Sequence, residues 1–202
     1  MSVTGIVKVT CPACGRTRDA KLVQSINAQT DAEAKAKLLA GELNVLACEC
    51  GARTQLMARL VYRDAERELT IQVVPDGKLA EAAALFEAAG MPGTRRLVPS
   101  QNALVEKVKI AGAGLEDWRL EMVKVLLLAS LGGLALEEIL LFEAADADTI
   151  SWLRFAPEGI VKVASARAQY DKLVAPPPKA RDLEIDRAWA IAAVERMIQS
   201  AN

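Results

Sequence analysis

The chain has 202 residues, a quarter of them charged, with a formal net charge of −1, four cysteines and no histidine. The lack of histidine excludes a Ser-His-Asp triad, a Cys-His pair and an H-E-x-x-H zinc site. Half of the residues are apolar, which is enough for a hydrophobic core, and the nearly balanced charge is not that of a protein covered by a polyanion-binding surface.

The first 75 residues have the pattern of a β-rich domain with one inserted helix. Residues 3–10 and 18–26 are predicted strands. Thr30 and Glu33 have the spacing of a capping box, and Gly41 stands where a glycine would end the helix. Residues 53–62 and 69–73 each alternate polar and apolar side chains around a polar turn, which predicts an antiparallel hairpin with one solvated face.

From residue 76 to about 131 the pattern is helical. Helices are predicted over residues 76–89, from residue 100 onward, and over residues 115–131. Gly112-Ala113-Gly114 lacks the G-x-G-x-x-G spacing of a nucleotide loop, so we predict a turn between two helices. The most apolar run, residues 122–136, contains Lys124 and is too short to span a membrane, which favours a buried helix.

The C-terminal region combines a small β-hairpin with a last helix. Residues 138–144 and 149–155 are predicted strands joined by Asp146-Ala147-Asp148, and Gly132-Gly133 ends the helix before them. A short strand over residues 160–163, a spacer at Pro176-Pro177-Pro178 and a helix over residues 183–199 follow. We interpret the acidic pairs Glu137-Glu138 and Asp146/Asp148 as turn and surface residues, and Trp118, Trp152 and Trp189 as core residues.

These elements predict an α+β protein in two parts. Residues 1–75 form a zinc-ribbon-like antiparallel sheet with an inserted helix. Residues 76–202 form a mostly helical region that carries a β-hairpin at about residues 137–163 and a C-terminal helix.

The four cysteines lie in two close pairs, Cys11/Cys14 and Cys48/Cys50. Each pair follows a predicted strand and precedes a glycine, which is the arrangement in which two turns deliver four thiolates to one tetrahedral Zn²⁺. We therefore predict a structural Cys₄ zinc site. The alternatives are a redox dithiol at Cys11/Cys14, four free thiols and a disulfide; a catalytic zinc is disfavoured because it usually keeps an open position and uses His or carboxylate ligands.

Several short motifs in the first 76 residues are shared with one known family. They are Cys11-Pro12-Ala13-Cys14-Gly15, Ser25-Ile26-Asn27, Asp31, Lys37-Leu38-Leu39, Gly41-Glu42-Leu43-Asn44, Cys48-Glu49-Cys50-Gly51, Leu60-Val61-Tyr62-Arg63-Asp64 and Pro75. In these motifs the chain resembles the CpXC domain family of bacterial and archaeal proteins, over about residues 5–130. The resemblance implies a metal-binding ribbon and does not imply an activity. The C-x-C spacing of the second pair departs from the family's motif.

No catalytic constellation is evident, so we expect no enzyme but a protein-interaction or adaptor module, including one that self-associates through its helices. The alternative is a nucleic-acid-associated factor that uses a basic ribbon face, formed by Lys8, Arg16, Arg18, Arg53, Gln55 and Arg59. Residues 1–75 carry ten basic and eight acidic residues, which is a weak electrostatic footprint for nucleic acid. The N-terminus has no signal-peptide pattern, so we expect a cytoplasmic protein with reduced cysteines.

Overall fold

The computed structural model describes residues 3–90, 92–131, 138–157 and 159–200. The fold is mixed α+β, with six helices and eleven strands in the described ranges. The chain divides into two compact units, Met1–Val105 and Glu106–Asn202, while the boundary predicted after residue 75 stays a prediction.

The first unit contains most of the strands. Its elements in chain order are β1 (Thr4–Thr10), β2 (Thr17–Val23), β3 (Ser25–Asn27), α1 (Ala32–Leu39), β4 (Val45–Ala47), β5 (Arg53–Gln55), β6 (Leu60–Asp64), β7 (Leu69–Val73), α2 (Leu79–Ala88), β8 (Thr94–Val98) and α3 (Gln101–Gly112), which continues into the second unit. Strands β1 and β2 form one antiparallel hairpin, and β4 and β5 form another.

A separate four-stranded sheet has the order β3-β6-β7-β8. The predicted β6–β7 hairpin is confirmed, with Tyr62 opposite Ile71, while β3 and β8 add to its two sides in parallel. Burial alternates along β6, while β7 and β8 have buried side chains on both faces of the sheet. The core residues on these strands are Ile26, Leu60, Tyr62, Leu69, Ile71, Val73 and Leu97.

The prediction of a single antiparallel sheet for this region is wrong, because the strands form three separate sheets. The strand predicted over residues 18–26 is interrupted at Gln24, and the one over residues 53–62 is interrupted at residues 56–59. In both cases the chain leaves a two-stranded hairpin and joins the four-stranded sheet, which a continuous strand could not do. Alternation of side chains is the same in either sheet, so it could not show where one strand ends and the next begins.

Strand β8 lies within the region predicted to be helical. It pairs in parallel with β7, and α2 supplies the crossover that a parallel pair requires. Arg95 and Arg96 interrupt its apolar pattern, but Arg95 donates a hydrogen bond to the Phe86 carbonyl at 3.0 Å, and Arg96 donates to the Arg95 carbonyl at 2.9 Å. Each guanidinium group thus donates to a backbone carbonyl within the fold.

The approach to β8 requires a glycine. Gly93 has φ +83°, and a Cβ atom there would lie 2.1 Å from the carbonyl oxygen of Glu68. That same carbonyl accepts the backbone N–H of Thr94 at 2.7 Å, so the close approach is part of the β7–β8 pairing.

The helices of this unit broadly follow the sequence. Helix α1 begins one residue later than predicted, after Asp31, and the capping box is not formed because Glu33 pairs with Lys37 at 2.7 Å. Gly41 has φ +71° beyond the last turn, as predicted for a glycine that ends a helix. Ser100 accepts the backbone N–H of Ala103 at 3.2 Å and opens α3.

The second unit is a three-stranded antiparallel sheet packed with helices. Its elements are α4 (Asp117–Ser130), β9 (Ile139–Ala145), β10 (Thr149–Ala156), β11 (Gly159–Ala166), α5 (Arg167–Asp171) and α6 (Arg187–Ser200). The predicted hairpin is confirmed, with Asp146 accepting the backbone N–H groups of Asp148 and Thr149 in its turn. Strand β11 is longer than predicted, α5 was not predicted, and α6 begins four residues later than expected.

The core of the second unit lies between the sheet and helices α4 and α6. Trp152 is fully buried, meets Phe142 edge to face, and donates its indole N–H to Ser165 at 2.9 Å. Trp118 is buried as predicted, and Trp189 packs against the same core while partly exposed. The turn between α3 and α4 is confirmed, with Gly114 at φ +68°.

Some predicted features lie outside the described residues. These are the helix end at Gly132-Gly133 and the acidic side chain of Glu137. Glu138 is described and pairs with Arg154 at 2.6 Å. None of the helices that the structure describes is long and apolar enough to cross a membrane.

Candidate metal centre

The first cysteine pair lies at the tip of the β1–β2 hairpin. The backbone N–H of Cys11 donates to the Arg16 carbonyl at 2.9 Å and closes the hairpin, while the N–H of Gly15 donates to the Cys11 carbonyl at 2.9 Å. Gly15 has φ +71°, a conformation that glycine adopts without strain. The C-x-x-C-G sequence therefore folds into a turn that ends on Gly15, directly after Cys14.

The second pair lies at the tip of the β4–β5 hairpin and repeats this scheme with one residue fewer. The N–H of Cys48 donates to the Ala52 carbonyl at 2.8 Å, and the N–H of Gly51 donates to the Cys48 carbonyl at 2.9 Å. Gly51 has φ +88°. The C-x-C spacing is thus matched by a shorter turn that still ends on a left-handed glycine.

The two hairpin tips bring all four sulfur atoms together. The four Sγ atoms lie within 4.8 Å of one another, and no other such group of His, Cys, Asp or Glu side chains occurs among the residues described. Cys11 Sγ is 3.8 Å from Cys50 Sγ, and Cys14 Sγ is 3.6 Å from Cys48 Sγ. The first cysteine of each pair is buried and the second is exposed, so one side of the cluster faces the protein and the other faces solvent.

This spacing fits one tetrahedral metal ion. Four sulfurs at about 2.3 Å from a central Zn²⁺ are separated by about 3.8 Å from each other. Two of the six separations, 3.6 and 3.8 Å, match that value, and all six are within 4.8 Å. A disulfide needs sulfurs about 2.05 Å apart, so the arrangement is that of four thiols.

The electrostatics of the sulfur cluster also favour binding of a cation. The backbone N–H groups of Cys14 and Ala13 donate to the sulfur of Cys11 and, against its burial, lower its pKa to about 6. The backbone N–H of Arg16 lowers the pKa of Cys14, but desolvation and the three neighbouring sulfurs together raise it to about 12. Four sulfurs at this spacing oppose one another's ionisation, and a divalent cation among them would offset that repulsion.

A salt bridge joins the two hairpin tips beside the sulfurs. Glu49, between the second pair of cysteines, accepts from Arg16 at 3.3 Å and from Arg18 at 3.2 Å. Both arginines belong to the first hairpin, so Glu49 links the two tips through ion pairs at the protein surface, which contribute little to stability. The sequence placed these arginines on a basic face and did not predict their pairing with Glu49, whose only signal was an acid between two cysteines in a basic neighbourhood.

The predicted basic face is partly neutralised. Besides the two arginines held by Glu49, Arg59 pairs with Asp76 at 2.7 Å. Gln55 donates to the backbone carbonyls of Leu43 and Asn44, so its amide stabilises the fold. These contacts reduce the positive potential that phosphate groups would encounter.

Comparison with known proteins gave one result. The family model described as "CpXC protein" matches residues 9–124, more than half of the chain and all four cysteines. No curated protein and no solved structure showed a significant match.

Proposed function

The chain belongs to the CpXC family, and from this premise we propose that it is a zinc-binding protein in which one Zn²⁺ is bound by Cys11, Cys14, Cys48 and Cys50. The observation that carries the proposal is the spacing of the four sulfurs, which is that of a tetrahedral thiolate site. The two hairpins with the ion between them form a zinc-ribbon-like element.

The zinc has a structural role rather than a catalytic one. All four positions around the ion are taken by thiolates, which leaves no site for a substrate or an activated water. The two hairpins are two-stranded sheets that are not paired with each other. An isolated two-stranded hairpin is only marginally stable, so the ion contributes directly to the free energy of folding. A reducing compartment such as the cytoplasm suits this site because it keeps the cysteines as thiols.

The cellular role is that of a protein-interaction or adaptor module, and the protein is not an enzyme. Exposed apolar side chains near the metal-binding hairpins support this role. Ile6 on β1 is 78% exposed, and Met57, just after β5, is 83% exposed. Methionine on a surface adapts its shape to an apolar partner. The pairing of three predicted basic-face arginines with acids disfavours nucleic acid as the partner.

Metal analysis of the native protein tests the proposal. We expect one zinc per chain in the wild type, and loss of both zinc and cooperative melting in Cys14→Ser. Glu49→Gln is the matched control, because it changes a residue between two ligands without removing a thiolate, and it should retain one zinc. Iron in place of zinc, or a metal-free wild type that melts as cooperatively as the loaded protein, would overturn the proposal.

The partner class is tested separately on the same preparation. We expect the zinc-loaded protein to elute free of nucleic acid and to show no salt-sensitive retention on heparin. Retention that falls steeply with salt, and that is lost when Lys8 and Arg53 are changed to Gln, would instead support the nucleic-acid-associated factor.

A further inference from the structure

The two edges of the three-stranded sheet in the second unit differ. The order of this sheet is β11-β10-β9, so β9 and β11 are its edge strands. At the β9 edge, the backbone N–H of Phe142 donates to the buried carboxylate of Glu106 at 2.5 Å, and Arg187 donates to the carbonyl of Glu138 just before the strand. Side chains therefore take up one outward N–H of β9 and the carbonyl just before the strand, which obstructs the pairing of another strand there.

The β11 edge has no such protection. Strand β11 is eight residues long, contains no proline, and pairs only with β10. Within the described chain, no side chain is hydrogen-bonded to its outward N–H or C=O groups. A long edge strand with free backbone groups is a template for pairing with another strand.

Strand β11 also exposes large apolar side chains, which a pairing strand could cover. Ile160 is 64% exposed and Val161 is 45% exposed, although they point to opposite faces of the sheet. The only charged residue of the strand, Lys162, pairs with Glu143 of β9 at 2.8 Å, which reduces its effect as an edge-protecting charge. Each face of the strand therefore carries an exposed apolar side chain, and the edge of the strand is open.

We propose that β11 pairs in an antiparallel manner with β11 of a second copy of this chain, which joins two three-stranded sheets into one of six strands. An antiparallel edge is complementary to itself under a two-fold axis, so both copies use the same residues. Centring the pair on Val163 overlaps residues 160–166 and places Lys162 opposite Ala164 of the second copy. This register contains no pair of like charges.

A second copy of the chain is thus the partner of the protein-interaction module proposed above, and in that respect the inference rests on the proposed function. It does not rest on the zinc site, because β11 lies in the second unit and outside the residues matched by the family model. It also places self-association at a strand, whereas the sequence suggested the helices.

The expected dimer is weak. Pairing through one strand covers less than the roughly 800 Å² per partner that a stable complex usually buries, so we expect dissociation in about the micromolar range. Light scattering and sedimentation of the zinc-loaded full chain, from about 1 to 500 µM, measure this equilibrium.

Charge variants at one exposed position test the register. Ala164→Lys places a lysine opposite Lys162 of the second copy, twice per dimer, and should weaken the dimer about tenfold. Ala164→Glu places an acid there and should leave the dimer at least as strong. Val174→Lys, at an exposed apolar residue outside the sheet, is the control and should not change the equilibrium. Thermal melting establishes that each variant is folded.

A wild type that stays monomeric throughout this range would overturn the proposal, as would a dimer that Ala164→Lys does not weaken. Zinc content measured on the same samples separates the two proposals. A zinc-loaded monomer contradicts only the β11 dimer, and a metal-free dimer contradicts only the zinc site.

Discussion

A buried network of charges in the second unit gives the sharpest prediction about stability. The ammonium group of Lys124 lies 2.7 Å from a Glu106 carboxylate oxygen and 3.0 Å from one of Glu121. Glu121 also accepts from Lys107 at 3.1 Å, and Lys107 pairs with Asp117 at 3.2 Å. Three acids and two lysines thus share one nearly solvent-free site, and Lys124 is the cation between two of the acids.

Replacing Lys124 with Met keeps the length of the side chain and removes the charge. The network then holds three acids and one lysine, and Glu106 loses its only ammonium partner among the described residues. Removing one partner from a buried ion pair costs about 3–5 kcal/mol. That is a large part of the roughly 5–15 kcal/mol by which a domain is usually stable. We therefore expect Lys124→Met to lower the free energy of unfolding by about 4 kcal/mol at pH 7.

The stabilisation by this network depends on pH in a direction that follows from the pKa shifts of Glu121 and Lys124. Burial opposes the charged form of Glu121, but Lys107 and Lys124 outweigh it and lower the pKa of Glu121 below 4.5. Its stabilisation is therefore present above that value and is lost as the pH falls through the lowered pKa. Burial likewise opposes the charge of Lys124, but Glu121 and Glu106 raise its pKa above 10.5, so its stabilisation is lost only as the pH rises through that raised pKa.

In the variant, the buried acids lose a cation and take up protons more readily in the folded state. The difference in stability between wild type and Lys124→Met should therefore shrink as the pH falls from 7 toward 4. Urea unfolding at several pH values measures it, with the exposed Lys172→Met as a control expected to change stability by less than about 0.5 kcal/mol. A loss below about 1 kcal/mol at pH 7, or one that does not vary with pH, would refute the reasoning.

Three further predictions concern other parts of the fold. Gly93→Ala should destabilise the first unit by about 3 kcal/mol or more in urea unfolding, because its Cβ would meet a carbonyl oxygen; Gly77→Ala, at φ +70° with open space around it, should cost only about 1 kcal/mol. Ser165→Ala should lower the free energy of unfolding by about 1–3 kcal/mol, because it leaves the buried indole N–H of Trp152 unpaired. Zinc added to metal-free protein at pH 7 should release protons into unbuffered solution, since the Cys14 thiol must ionise to bind; no measurable acidification would contradict this.

The parts of the fold that were predicted correctly depend on local interactions. Helix α3 begins after Ser100, and the β9–β10 hairpin turns at Asp146, because each signal acts on residues a few positions away. The parts that were missed depend on distant partners. Residues 94–98 form strand β8 because they pair with β7. Arg95 and Arg96 interrupt the apolar pattern by which the sequence could have predicted this strand.

At the candidate metal site, too, the sequence predicted the local features and not the contacts between distant segments. The four cysteines were identifiable because thiolate pairs before glycines have a characteristic spacing. The salt bridge of Glu49 with Arg16 and Arg18 was not, since charges from two hairpins meet only after folding. The sequence placed Lys124 in a buried helix but did not predict its partners Glu106 and Glu121, because a sequence does not show which charges will be enclosed together.

The sequence by itself identified the four clustered cysteines as the candidate metal ligands of this protein, because it contains no histidine. It also determined most helices and hairpins, whose capping and turn residues act locally. Only the tertiary structure decided which strands pair in parallel, which charges are buried, and which sheet edge stays open. Those outcomes depend on contacts between distant segments, and the free energy of such contacts is absent from any local stretch of sequence.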